Sequence, residues 1–149
     1  MQEHESTFRQ ILLILHPPSI TKTLGPSFDT IEQAVEVVNA LDKYCIEDLS
    51  DVVEAGIMVN SPDVLSITHP GYLYVVGARL GWSKICQEAA RSSLDFSEQA
   101  LVRELSTKAL NSVNDRVSMK DLLPLWKYRI ACRVNAKRSF LNMRPDALA

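Results

Sequence analysis

Residues 40–49 constrain the fold of this chain more than any other segment, because two helical patterns meet within ten residues. An apolar stripe at helical spacing ends at Leu41, and another begins at the end of the segment. Asp42, Lys43 and Tyr44 occupy the polar stretch between them, where the tyrosine ring can fill the joint and keep its hydroxyl at the edge. We therefore predict that these three residues form a structural joint between two helices.

Helical spacing of apolar residues continues along most of the chain and is interrupted where proline or glycine stands. The interruptions lie at residues 16–18, 25–26, 60–62 and 81. A helix is predicted after Thr30, which matches a capping box with Gln33. Further helices are predicted from about Glu47, from His69 and after Ser97.

The apolar positions of each predicted helix mark the face that should pack inward. These positions are Phe8, Ile11, Leu12 and Leu15; Ile31, Ala34, Val35, Val38 and Leu41; Leu49, Val52, Val53 and Ile57; Leu73, Val76, Gly77 and Leu80; Trp82, Ile85, Cys86, Ala89 and Ser93; Leu101, Val102, Leu105 and Ala109; and Leu122, Trp126, Ile130 and Val134. Trp82 and Trp126 are predicted core anchors and structural joint residues, with exposed partner contacts as the alternative.

Two segments between residues 70 and 94 are predicted to form an antiparallel helical hairpin that turns at Gly81. Small residues such as Gly77 and Ala89 would let the two helices approach closely. A β-strand at residues 72–76 is the alternative, since Tyr72, Tyr74 and Val76 would share one face of a strand.

Pro124 stands inside the last predicted helix, which Ser118 can cap. Proline removes a backbone hydrogen bond and clashes with the preceding turn. We expect either a kink at Pro124 or a short turn at residues 118–123 followed by a helix that starts at Pro124.

Length and composition place these elements in one ordinary globular domain. The chain has 149 residues, of which 46% are hydrophobic and 23% charged. A domain of this size buries roughly 68 to 70% of its unfolded surface, so it can build its own core. We predict an all-α fold with a single domain over residues 1–149, in which about six or seven helices pack as successive helical hairpins.

Composition also bounds the cellular location. The longest apolar run, residues 11–15, falls far short of the roughly 20 residues that span a bilayer, so no membrane partner is predicted. The amino-terminal residues lack the basic region of a signal peptide. The three cysteines are far apart among apolar or helical neighbours, which is typical of reduced core thiols. We therefore expect a cytoplasmic or nuclear protein.

Charge is distributed unevenly although the net charge is only −2. Residues 1–63 carry 11 acidic and 3 basic side chains, and residues 64–149 carry 7 acidic and 13 basic ones. Charged helix faces in contact with solvent, or weak attraction between the two ends of the chain across the fold, explain this pattern without a ligand. A basic and aromatic cluster near the carboxyl end could also meet phosphates and stack on bases. Its members are Lys127, Arg129, Arg133, Lys137, Arg138 and Arg144, interleaved with Trp126, Tyr128 and Phe140.

Catalytic patterns are weak throughout the sequence. His4, His16 and His69 are far apart and form no metal-binding array. Acidic residues at 47, 48 and 51 fit the first turn of a helix, where the helix dipole favours them. The five glycines are scattered at breaks and form no phosphate-binding loop. We predict no enzymatic activity, no cofactor, no metal and no catalytic residues.

Four degenerate motifs, taken in order, resemble the carboxyl-terminal helical part of fungal BTB/POZ proteins. The matching stretches are residues 8–18, 40–46, 75–82 together with 89–94, and 122–132. Residues 8–60 resemble the carboxyl-terminal helices of the BTB domain, and residues 69–138 resemble the helical extension that follows. The strands and the first helix that open a BTB fold have no counterpart before Phe8.

The resemblance implies a non-catalytic protein-interaction module, such as an adaptor or scaffold in ubiquitin ligation or transcriptional control. Its partner would be another protein, either a cullin-type scaffold or a second copy in a homo-oligomer. The alternative is binding of nucleic acid or an acidic partner by the basic carboxyl-terminal helix. That alternative places binding on Lys127, Arg129, Arg133, Lys137 and Arg138.

Overall fold

The computed structural model describes residues 5–16, 25–109 and 119–142, and the side chains of 104–109, 119 and 141–142 are left out of the description. Within these residues the chain forms eight α-helices, one short 3₁₀ turn and no strand. The helices are α1 Glu5–Leu15, α2 Ile31–Lys43, α3 Ser50–Asn60, α4 Pro62–Ile67, α5 Pro70–Leu80, α6 Ser83–Ser92, α7 Glu98–Ala109 and α8 Met119–Asn142, with the 3₁₀ turn at Ser93–Asp95. The predicted all-α fold in a single compact unit is confirmed, and the alternative strand at residues 72–76 lies within α5.

The predicted helix count was too low, because α4 is a short helix that the sequence pattern did not reveal. Pro62 ends the pattern of α3, but its fixed φ and missing N–H suit the first position of a new helix. One proline therefore separates two helices that pack against each other.

Local capping signals are realised at three helix ends. The hydroxyl oxygen of Thr30 accepts a hydrogen bond from the Gln33 backbone N–H at 3.2 Å, and the Gln33 side chain accepts one from the Asp29 N–H at 3.0 Å. Ser97 accepts a hydrogen bond from the Ala100 N–H at 3.2 Å. At the end of α5, Gly81 adopts a left-handed φ of 73°, which glycine adopts without steric cost.

The joint between α2 and α3 is longer than the sequence indicated. The first helix ends at Lys43 and the next begins at Ser50, so Glu47 and Asp48 lie in the connection and not in a first helical turn. Cys45 and Asp48 both adopt a positive φ, of 54° and 66°. Cys45 is exposed, which corrects its expected place among core thiols.

The predicted joint residues lie at the surface of this connection. Asp42 and Lys43 are exposed at the end of α2, and Tyr44 is about half exposed. The Lys43 ammonium lies 5.3 Å from the centre of the Tyr44 ring, within the range of a cation–π contact. The tyrosine thus covers the joint from outside and does not plug it from within.

The hydrophobic core is built in two parts. The larger cluster draws on α1 to α6, and its most enclosed side chains include Ile31, Ile57 and Trp82. A smaller cluster under α8 contains the buried residues Val75, Ala90, Leu122 and Leu125, with Trp126 packed beside them. Tyr72 and Tyr74 of α5 pack against both clusters, so α5 links the two parts of the core.

Two buried side chains connect α3 to the turn between α5 and α6. The indole nitrogen of Trp82 donates hydrogen bonds to the Ser50 carbonyl at 3.1 Å and to its hydroxyl at 2.9 Å. One Glu54 carboxylate oxygen accepts hydrogen bonds from the backbone N–H groups of Lys84 at 2.7 Å and Ile85 at 3.1 Å. These N–H groups open α6 and have no partner within the helix, so Glu54 supplies the helix cap from a neighbouring element.

The inward face predicted for α1 was wrong. Thr7, Gln10 and Ile11 are buried, while Phe8, Leu12 and Leu15 are exposed. Helix α1 packs chiefly on α2, so it buries only a narrow stripe. Polar contacts orient that stripe, because Gln10 accepts a hydrogen bond from the Ser27 N–H at 3.3 Å and Thr7 donates one to Glu36 at 3.4 Å.

The structure also corrects the last predicted helix. Helix α8 is continuous from Met119, with Pro124 inside its second turn, so neither a separate turn nor a helix start at Pro124 is found. Its buried residues are Leu122, Leu125 and Arg129, whereas Ile130 and Val134 are exposed. The proposed Ser118 cap lies outside the described residues.

Replacing Glu54 with alanine should lower the free energy of unfolding by about 2 to 3 kcal/mol, because two buried N–H groups lose a charged acceptor. Glu54→Gln retains an acceptor and should lose less. Urea unfolding followed by circular dichroism measures both variants, with Glu47→Gln at an exposed position as control. Wild-type stability in Glu54→Ala would contradict the capping role.

Replacing Gly56 with alanine should lower the free energy of unfolding by about 1 to 3 kcal/mol despite the better helix propensity of alanine. An added Cβ would lie 2.8 Å from the Pro26 carbonyl oxygen and 2.7 Å from its ring, so the backbone of the 25–29 loop must shift. The same urea assay applies. Ala55→Ser on the exposed side of α3 should change stability by less than about 0.5 kcal/mol.

Candidate interaction surface

Among the described residues, the buried contacts of helix α8 lie in its amino-terminal half. Leu122 and Leu125 are buried in the smaller core cluster, and the helix contacts α5 and α6. Every residue from 133 to 140 is exposed. The carboxyl-terminal half of α8 therefore has an exposed surface over these residues.

Arg129 holds the helix where it leaves the body. Its side chain is only 2% exposed, and its guanidinium donates hydrogen bonds to the carbonyls of Ser93 and Phe96, the latter at 2.6 Å. Burial lowers the pKa of this guanidinium, the Arg133 charge lowers it further, and Glu98 partly opposes the shift. Arg129 therefore binds the chain that follows α6, and it is not available at the surface for a partner.

The other basic residues predicted to bind a partner differ in their surroundings. Arg133 is exposed and forms a 2.9 Å ion pair with Glu98 of α7. Lys127, Lys137 and Arg138 are exposed, and no described residue forms an ion pair with them. Three of the five predicted cations are thus accessible without breaking an intramolecular contact.

Apolar side chains share the solvent side of α8 with these cations. Leu123, Ile130 and Val134 are 52%, 54% and 42% exposed. With Lys127 and Arg138 they follow one another at intervals of three or four residues, which places all five on one side of a helix. We call this set, Leu123, Lys127, Ile130, Val134 and Arg138, the outer face of α8.

The two tryptophans differ in position. Trp82 is fully buried, and Trp126 is partly buried beside the smaller cluster. Neither side chain therefore forms an exposed anchor of the kind that dominates many interfaces. The aromatic residue Tyr128 is 39% exposed, and a hydrogen bond with the Cys132 side chain is the main cause of its raised pKa.

A cleft of about 420 Å³ lies between α5, α6 and α8, lined by Tyr74, Cys86, Gln87, Ala90, Arg91 and Tyr128. Burial raises the pKa of the Cys86 thiol, and the nearby charge of Glu54 raises it further. The thiol donates a weak hydrogen bond to the Tyr74 carbonyl at 3.7 Å. Cys86 is therefore protonated at neutral pH, which makes it a poor nucleophile.

Metal-binding and membrane-spanning features are not found in the described part of the chain. In residues 5–16, 25–109 and 119–142, no three His, Cys, Asp or Glu side chains cluster as metal ligands would. His69 packs edge-on against Phe96 with ring centres 5.1 Å apart, and His4 lies outside the described residues. None of the described helices is both long and apolar enough to cross a bilayer.

Sequence reasoning missed a second exposed apolar surface, on α1. Phe8, Leu12 and Leu15 are 51%, 57% and 49% exposed, although their spacing predicted a core face. We call these three residues the outer face of α1. Periodicity reports only that an apolar stripe exists, so it could not show that this stripe faces solvent.

Comparison with known proteins finds no matching family model, no similar curated protein and no similar solved structure. The resemblance to fungal BTB/POZ proteins thus stays a prediction from sequence motifs. Function has to be argued from the surface itself.

Replacing Arg129 with glutamine should destabilise the fold by about 2 to 3 kcal/mol, because two buried carbonyls lose charged donors. Arg129→Lys should also be impaired, since an ammonium cannot reproduce the planar fork. Lys127→Gln, at an exposed position two residues away, should change stability by less than about 0.5 kcal/mol. Equal stability of all four proteins in urea would contradict the structural role of Arg129.

Proposed function

We propose that this chain is a non-catalytic protein-interaction module that binds another protein through the outer face of α8. The observation that carries the proposal is the line of three exposed apolar side chains on a helix that leaves the body. Apolar residues spaced along one side of a helix are the usual anchors when a helix binds in a groove of a partner.

The apolar part of the surface favours a protein over a purely charged ligand. Completing the burial of one half-exposed leucine, isoleucine or valine contributes roughly 1 kcal/mol. Leu123, Ile130 and Val134 together could therefore strengthen binding by roughly a hundredfold. Lys127 and Arg138 at the same face suit a partner whose groove carries acidic residues.

Nucleic-acid binding is the second candidate function, because Lys127, Lys137 and Arg138 are exposed cations on the same helix. Burial of Arg129 and the ion pair of Arg133 leave few charges for phosphates. Neutralising three phosphates predicts an affinity loss of roughly 40-fold between 50 and 200 mM salt. Contacts with three phosphates alone give weak and nonspecific binding.

An adaptor or scaffold role follows from the proposal together with the BTB/POZ resemblance. In that role the partner is a cullin-type scaffold, and the protein works in the cytoplasm or nucleus without enzymatic activity or cofactor. The comparisons add no support for the cullin-type partner. The proposal therefore relies on the outer face of α8 and not on family membership.

The test compares the full chain with two variants as immobilised baits in a nuclease-treated cell lysate. Leu123→Ser/Ile130→Ser/Val134→Ser removes the apolar side chains and keeps the charges. Lys127→Gln/Lys137→Gln/Arg138→Gln removes the charges and keeps the apolar side chains. We expect a bound protein whose capture falls at least tenfold with the apolar variant and less with the charge variant.

Because all these positions are exposed, both variants should keep the wild-type circular dichroism spectrum and urea midpoint. Fluorescence anisotropy with a labelled DNA duplex and a single-stranded RNA tests the second candidate directly. Equal protein capture by all three baits would refute the proposal. Capture that nuclease abolishes, with duplex binding lost in the charge variant, would establish the second candidate instead.

A further inference from the structure

Two exposed carboxylates lie on or beside α1. Glu5 is exposed on the same helix, and Glu36 of α2 stands at its edge, where it accepts a hydrogen bond from Thr7 at 3.4 Å. Arg9 is the basic exception on α1. The face thus combines three exposed apolar side chains with nearby carboxylates.

Exposed charges in the amino-terminal part of the chain are mostly acidic. Among the described residues between 5 and 63, the exposed acidic side chains are Glu5, Asp29, Glu32, Glu36, Asp42, Glu47, Asp48, Asp51 and Asp63, and the exposed basic ones are Arg9 and Lys43. In α8, by contrast, Asp121 is the single acidic residue among six basic ones. The chain therefore carries one exposed apolar face near acidic side chains, on α1, and another among basic side chains, on α8.

The two faces carry the same number of exposed apolar side chains but differ in length. At 1.5 Å per residue, Phe8 to Leu15 covers about 10 Å of helix and Leu123 to Val134 about 16 Å. Each face presents three apolar side chains that are about half exposed. The α1 face belongs to a helix that packs chiefly on α2. The α8 face belongs to a helix that packs on α5 and α6.

We propose that the outer face of α8 in one copy binds the outer face of α1 in a second copy. This inference rests on the proposed function and names its partner as another copy of the same chain. Leu123, Ile130 and Val134 would pack against Phe8, Leu12 and Leu15, and Lys127 and Arg138 would approach Glu5 and Glu36. Opposite potentials steer such an encounter and disfavour pairing of two α8 faces.

This contact joins two different surfaces, so in a pair one copy keeps an unused α1 face and the other keeps an unused α8 face. Head-to-tail interfaces of this kind produce closed rings or open chains of copies. A contact between two short helix faces lies at the small end of specific interfaces. Assembly should therefore be reversible and should grow with protein concentration and weaken with added salt.

The experiment is sedimentation velocity of the full chain and of two variants that each disable one face. Leu123→Ser/Ile130→Ser/Val134→Ser disables the α8 face, and Phe8→Ser/Leu12→Ser/Leu15→Ser disables the α1 face. Wild type should form species that exceed a dimer as concentration rises, and each variant alone should stay monomeric. An equimolar mixture of the variants should form a 1:1 dimer and nothing larger, because each supplies the face that the other lacks.

Charge reversal keeps the test decisive if a serine variant fails to fold. Lys127→Glu/Arg138→Glu and Glu5→Lys/Glu36→Lys should each weaken self-association at least tenfold, and combining all four changes in one chain should restore it. A monomeric wild type over the whole concentration range would overturn the inference, as would a variant mixture without dimers. Dimers that persist in either serine variant alone would overturn it too, because they show a contact between identical surfaces.

The experiments distinguish failure of the self-association proposal from failure of the proposed function. A wild-type chain that stays monomeric, while the apolar α8 variant loses a different captured protein, refutes self-association and leaves the interaction module intact. If the apolar α8 variant changes neither sedimentation nor capture, both proposals fail.

Discussion

The buried carboxylate of Glu54 is the contact on which the arrangement of the other helices depends. A carboxylate that is only 6% exposed needs strong hydrogen-bond donors, and the first N–H groups of α6 supply them at 2.7 and 3.1 Å. The Trp82 indole fixes the same corner through Ser50. Together they set the position of α6 relative to α3, and thereby the position of the α5–α6 pair on which α8 packs.

Arg129 connects α8 to the segment that follows α6. Its guanidinium binds the carbonyls of Ser93 and Phe96, which follow the end of α6. Because a buried guanidinium needs hydrogen-bond acceptors, these two carbonyls hold the side of α8 that carries Arg129 against the body. The opposite side, with Leu123, Ile130 and Val134, therefore faces solvent. Arg129 and the apolar residues Leu122 and Leu125 are all buried, so the charge and the apolar contacts together decide which residues of α8 remain exposed.

Charge separation gives the two exposed apolar faces different electrostatic surroundings. Individual surface charges contribute little to stability, but a field of one sign over a whole surface affects which surfaces approach one another. The acidic surroundings of α1 and the basic outer face of α8 arise from the same uneven charge distribution of the sequence. An exposed apolar stripe within such a field is suited to specific and reversible contact.

Sequence alone determined the helices other than α4 and several of their ends, because those signals are local. The Thr30 and Ser97 caps, the left-handed Gly81 and the helix entry at Pro70 each need only a few neighbouring residues. Tertiary structure decided which faces are buried, since that depends on how many elements pack around a helix. Helix α1 has one main neighbour, so Phe8 and Leu12 stay exposed, and α8 turns toward its neighbours through Arg129. The sequence could therefore place cations near the carboxyl end, but only packing decided which of them are free to bind.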